Sequence, residues 1–288
     1  MEIVDTHTHV ISPDTTRYPH APVGGRQSAW SQAHPVDIDG LARALDEAGV
    51  SRAVVVQAST VYGHDNRYVA EAVRSHPDRF VGVYSIDALA DDAVAEIKKW
   101  QDQGLSGFRL FTTGTTMPGQ ADWLGHERSY PTWAYAEEND IPVCLQMTIQ
   151  GLHALRNLLE RFPRVRVLLD HCARPDLFDG HPYQLSKDLF ELAIHPGVHL
   201  KLTHRALQAA GAGRSTTRAF LTDLVASYGV GRIAWGSNFP AAEGTLSDIL
   251  DEARGALSGL SDDDLRSVFG GTALAFYPSL ATAGEAHA

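Results

Sequence analysis

Eight short apolar runs recur along this chain of 288 residues, and most are separated by segments with helical patterning. The runs read as strands over 3–10 (IVDTHTHV), 52–59 (RAVVVQAS), 80–87 (FVGVYSID), 106–113 (SGFRLFTT), 141–148 (IPVCLQMT), 165–171 (VRVLLDH), 198–205 (VHLKLTHR) and 232–238 (RIAWGSN). Helical segments between them include DIDGLARALDEAG, DNRYVAEAVRSHP, ADDAVAEIKKWQDQG, SYPTWAYAEEND, GLHALRNLLERFP and TTRAFLTDLVASYG. Several end in Gly or Pro, which stop helices. Nearly unbroken apolar strands alternating with helices call for a parallel sheet covered on both faces. Eight such units in this length match a (β/α)8 TIM barrel, expected here as a distorted α/β barrel forming one domain over 1–288. The competing doubly wound sheet lacks support, because no Gly-x-Gly-x-x-Gly follows the first strand. The Pro/Gly-rich stretch 12–35 is too long for a turn and reads as a loop over the C-terminal end of the first strand, where barrels build their sites.

Charge narrows the partners. A formal net charge of −11 argues against nucleic acid or an anionic membrane as the main partner. An anionic ligand would need a local cluster of arginines working against that field. Two cysteines, Cys144 and Cys172, provide no disulfide framework and point to a reducing compartment. Neither a leader pattern nor a run approaching a membrane span is visible, so the expectation is a cytoplasmic protein. Its expected partners are a small molecule and, at most, further copies of itself in a homo-oligomer.

The strand ends carry the chemistry. Asp5, His7 and His9 alternate in the first strand and would share one face. An edge strand with solvated polar groups would explain that alone. Yet the second strand offers Gln57 and Ser59, the fourth Arg109, and the fifth Gln146 and Thr148. The sixth offers His171 and Arg174, the seventh Lys201, Thr203 and Arg205, and the eighth Asn238. Packing does not account for this, since an unpaired polar group inside a barrel costs about 1–3 kcal/mol.

His-x-His at the first strand end, a histidine after the sixth and WGSNFP at the eighth resemble the amidohydrolase superfamily. Within it, VVVQASTVYGHDNRY, GFRLF and DHCARPD resemble the lactone-hydrolysing branch typified by 2-pyrone-4,6-dicarboxylate lactonase. The similarity runs from Asp5 to about Phe276. It implies a (β/α)8 fold and hydrolysis of a small carboxylated lactone or pyrone, as in aromatic-compound breakdown. By that resemblance His7, His9 and His171 polarise the lactone carbonyl, while Arg109, Arg174 and Arg205 hold substrate carboxylates. A guanidinium fork suits a carboxylate through paired hydrogen bonds. Tyr18 and Tyr62 would close over the substrate or else pack as ordinary loop tyrosines. Gln57, Ser59 and Gln146 complete the expected binding set.

Much of the superfamily binds a divalent metal at the His-x-His pair, whereas the resembling lactonases use these groups without one. Here Gln146 stands where a ligand histidine would, and no lysine matches the bridging ligand of the fourth strand. A site without metal or other cofactor is therefore expected; the alternative is a zinc-like ion on His7, His9 and His171. Cys172, beside His171, reads as a core residue or a thiolate ligand.

One departure from the resemblance stands out. The eighth strand normally ends in an aspartate that acts as general base, and this chain has Asn238. A neutral amide cannot take a proton from water. Either the chain is an inactivated variant, or another group such as a histidine is the base, or the protein only binds. The function expected is thus lactone hydrolysis at an ester bond. A metal-dependent hydrolase or aromatic-acid decarboxylase and a non-catalytic binding barrel are the alternatives.

Overall fold

A computed structural model describes residues 1–117 and 119–282. Eight parallel strands follow one another around a single sheet in chain order: β1 (Val4–Thr8), β2 (Arg52–Val56), β3 (Phe80–Ser85), β4 (Gly107–Phe111), β5 (Val143–Gln146), β6 (Val167–Leu169), β7 (Val198–Leu202) and β8 (Ile233–Trp235). This is a (β/α)8 barrel. Each strand lies inside its predicted run and stops two or more residues short of that run's C-terminal end. The trimmed residues leave the ladder and supply side chains to the site.

Closure of the ring is irregular. β8 meets β1 through a bridge between Thr8 and Phe239 rather than a full ladder. Asn238 N–H donates to the His7 carbonyl at 2.8 Å, His9 N–H to the Phe239 carbonyl at 2.9 Å, and the Thr6 hydroxyl to the Trp235 carbonyl at 2.7 Å. The β1–β2 register also shifts between Asp5 and Thr8. The alternation expected for Asp5, His7 and His9 is therefore broken, and Asp5 instead accepts N–H bonds from His7 and Ser237 at the seam.

Two apolar layers hold the fold. Outside, strands and helices share a continuous core that includes Leu41, Leu45, Val55, Ile97, Trp133 and Leu155. Inside, Val4, Val54, Val56, Val81, Val83 and Leu168 pack against Phe276, Tyr277 and Leu280 from the C-terminal segment. That segment plugs the end where the strands begin. Arg52 and Arg166, at the entry to β2 and β6, donate to the Leu280 and Phe276 carbonyls, each at 2.6 Å.

The helices show why their sequences fold locally. Ile38–Ala48 starts where the Asp37 side chain accepts the Gly40 N–H at 2.7 Å, and it ends at Gly49 with φ +68°. Leu246–Ala256 opens with a reciprocal cap between Thr245 and Asp248.

The long loop after β1 covers the C-terminal end of the barrel, as its position predicted. Ala21 and Val23 donate to the Val61 and Ser59 carbonyls, and Arg26 reaches the Thr115 carbonyl. Gly24, at φ +83°, permits this contact, since a β-carbon there would lie 2.5 Å from the Thr116 carbonyl oxygen.

Candidate active site

Beneath the pocket lies a set of buried charges. Asp170, just past β6, and Lys201, in β7, are fully buried and 3.0 Å apart. Asp170 Oδ1 accepts from Lys201 Nζ and from the Cys144 thiol, each at 3.0 Å. Its Oδ2 accepts from Arg109 Nε at 3.0 Å and Nη2 at 2.8 Å. Burial alone would push this carboxyl up, but Lys201 and Arg109 hold it well below the usual carboxylate range. Asp170 is thus a fixed anion among cations.

Three imidazoles stand on this floor. The His7 ring centre lies 4.9 Å from those of both His9 and His171. Each has its Nδ1 engaged: His7 with Lys201 Nζ at 3.1 Å, His9 with the Val56 carbonyl at 2.7 Å, and His171 with the Thr203 hydroxyl at 2.8 Å. A carbonyl only accepts, so His9 carries its proton on Nδ1 and keeps a lone pair on Nε2. Burial pulls His7 down to about 4 and the other two well below the usual imidazole range. All three are neutral at neutral pH.

The backbone that presents these groups is strained. His171, Cys172, Ala173 and Arg174 follow one another at φ 56°, 51°, 57° and 51°, the left-handed region that non-glycine residues avoid. Such residues cost about 1–3 kcal/mol each and persist where the surroundings impose them. The turn places both His171 and Arg174 on the pocket wall. Asn238 sits at φ 62°, which asparagine tolerates better than most residues. It also lines the pocket, and its buried Nδ2 has no hydrogen-bond partner. Cys172 is buried, its thiol pushed up to about 12 by burial, and it fits the core role.

A pocket opens beside these groups. Of the predicted residues, His9, Ser59, Arg109, Gln146, His171, Arg174, Arg205 and Asn238 line it. No acidic side chain does, among the described residues. Arg109 is committed to Asp170 and also donates to Gln146 Oε1 at 3.2 Å. Arg174 and Arg205 differ: among the described residues neither guanidinium has an ion-pair partner, and Arg174 Nε is buried without a hydrogen bond. Burial, reinforced by Arg205, lowers Arg174 to about 10, and burial lowers Arg205 as well. Both stay charged.

Three predicted binding residues do not reach the pocket. The Tyr18 hydroxyl donates to Glu71 at 2.7 Å while its ring packs on Tyr68. The Tyr62 hydroxyl accepts the Ser12 N–H at 2.8 Å, and Gln57 Nε2 donates to the Asp65 carbonyl at 2.7 Å. These side chains fasten loops, and of the two roles open to the tyrosines the structure places them in the packing one.

Other residues went unread. Trp30, from the first loop, lines the pocket and stacks on His9 with ring centres 5.3 Å apart. Phe111 and Thr115 line it as well. Asp170 lies outside the expected site set and Lys201 carries no role in it; the available signals for these two were an aspartate closing VLLD and a lysine inside the apolar run VHLKL.

The metal implied by the superfamily finds a poor donor set here. Among the described residues, no three or more His, Cys, Asp or Glu side chains are placed to share an ion. The strand-eight carboxylate is an amide, and the one carboxylate beside the imidazoles, Asp170, is already taken up by Lys201, Arg109 and the Cys144 thiol. Hard and borderline divalent ions require free donors of that kind.

Comparisons with known proteins agree with the fold. L-fucono-1,5-lactonase of Burkholderia ambifaria is 26% identical over 294 residues, spanning 99% of this chain and 98% of that protein. A 2-pyrone-4,6-dicarboxylate hydrolase of Comamonas testosteroni is 34% identical over 185 residues, covering 62% of this chain and 53% of its own length. A zinc-bound amidohydrolase structure from Burkholderia multivorans has a TM-score of 0.77 at 20% identity, with 96% of this chain and 99% of that one covered. At that identity the likeness shows the fold. The Amidohydrolase family model matches residues 4–279, nearly the whole barrel, and the chain belongs to the amidohydrolase family.

Proposed function

We propose that the pocket opens a small carboxylated lactone or pyrone by water attack on the ring carbonyl, without a metal. The observation that carries this reading is the pair Arg174 and Arg205. Among the described residues, two charged guanidiniums without ion-pair partners line a pocket free of acidic side chains, in a protein of net charge −11. Holding unpaired charge in a half-enclosed site is unfavourable until an anion arrives. The neighbouring imidazoles then face the ring carbonyl. An imidazole whose free nitrogen carries the proton donates a hydrogen bond to the oxyanion that forms as water adds, whereas His9, with its Nε2 lone pair, can only accept there. The lactonase and hydrolase names of the two sequence relatives favour the same bond type.

Asn238 holds the position of the proton acceptor and cannot perform that task. The chain as it stands should bind its lactone and turn it over slowly. Asn238→Asp restores a carboxylate at nearly constant volume, in a backbone conformation that Asp also tolerates. A lactone-hydrolysis screen should show kcat rising about 10²–10⁴-fold, with little change in KM. The rate of the Asp protein should survive chelation and should show a carboxylate-like ascending limb with pH. An Asp protein no faster on any lactone that binds would exclude the base at 238. Binding without turnover in either form would identify a binding barrel, and loss of activity on chelation would identify a metal enzyme.

A further inference from the structure

We propose that Lys201 is a positioning residue that locks His7, buried beneath the pocket, as the Nε2–H tautomer, so that its Nε2 side offers only a hydrogen-bond donor. The argument is a count of donors and acceptors in the barrel centre. A lysine ammonium has three protons and accepts nothing. Lys201 Nζ lies 3.0 Å from Asp170 Oδ1, 2.9 Å from Cys144 Sγ and 3.1 Å from His7 Nδ1. Those three contacts use its three protons.

His7 Nδ1 has one competing neighbour, Asp170 Oδ1, at 3.2 Å. A carboxylate offers about four lone-pair sites. Lys201 and the Cys144 thiol take two of them, and Arg109 Nε and Nη2 take the others. A proton on His7 Nδ1 would therefore find no free lone pair, and it would point at an ammonium. Nδ1 must accept, which places the proton on Nε2. His7 Nε2 is the atom left buried without a partner. An imidazole protonated there also offers no lone pair to a metal, in keeping with the poor donor set of the site.

Histidine 15N NMR tests this on the protein as it is, with His7→Gln used to assign the signal. The expected spectrum has His7 Nδ1 unprotonated and Nε2 protonated. A proton on Nδ1, in a neutral or doubly protonated ring, overturns the proposal, and this arm needs no substitution at Lys201. In Lys201→Met the free Asp170 Oδ1 remains near Nδ1, so the proton should move to Nδ1. A folded Lys201→Met protein that keeps the Nε2–H tautomer also overturns it. The kinetic arm rests on the lactone reading: in the Asn238→Asp background, Lys201→Met should lower kcat about 10²–10³-fold with KM nearly unchanged. An unchanged kcat, or a loss confined to KM, counts against the proposal. The NMR arm uses no lactone, so a chain inert to every lactone would sink the functional reading and leave the tautomer assignment standing.

Discussion

Arg109, Arg174 and Arg205 bring the same charge to the same pocket under different constraints. Arg109 is bound to Asp170, 61 positions away in the chain, whereas Arg174 and Arg205 have no ion-pair partner among the described residues. Methionine at 174 or 205 should leave the fold intact and weaken binding of a carboxylated lactone about ten- to a hundredfold, the worth of one charge-assisted hydrogen bond. Titration calorimetry measures this directly, and affinity indifferent to both changes would remove the carboxylate clamp. Arg109→Met should act on stability instead. It leaves Asp170 short of a partner inside the barrel, a change that costs about 3–5 kcal/mol. In the sequence the three arginines look alike, because what separates them is whether folding brings a carboxylate to each one.

At the scale of elements, the barrel is stabilised at one end and strained at the other. The C-terminal segment places Phe276, Tyr277 and Leu280 against the inward valines of β1 to β3. Truncating Phe276→Ala removes a fully buried ring and leaves a cavity, for an expected loss of about 3–5 kcal/mol in urea unfolding. The catalytic end should be unaffected, so kcat of the Asn238→Asp enzyme should be preserved; a parallel loss of activity would show that plug and site are coupled. At the opposite end the turn 171–174 holds four residues in left-handed conformation. The eight strands and the intervening helices were legible from period and breaker residues, since both signals act over a few neighbours. The turn was not legible, since nothing in DHCARP demands positive φ and only the packing around it imposes that conformation.

For the whole molecule, the buried imidazoles make stability depend on pH. Their folded-state affinity for protons is lowered, with His7 at about 4, against about 6.5 when unfolded. The unfolded chain therefore binds more protons between those limits. Stability is full above about pH 6.5 and falls as pH drops toward 4, with His7 alone withdrawing about 3 kcal/mol. Asp5, whose carboxyl burial pushes up, acts in the opposite direction, as one group against three. Thermal melts across this range should show a steep loss of Tm below about pH 6.5; a flat profile would mean the imidazoles are not buried neutral. The sequence by itself determined the eight strands, their parallel order, the covering first loop and the gathering of polar residues at one end. These follow from patterns a few residues long and from the rule that a parallel sheet must be covered. Tertiary structure alone decided that Lys201 and His7, 194 positions apart, share a proton site, that Tyr18 and Tyr62 fasten loops, and that two of the three arginines meet no carboxylate among the described residues. Those outcomes depend on barrel register and closure, which bring distant side chains to between 2.7 and 3.1 Å, a distance scale at which hydrogen bonds form and local pattern carries no information.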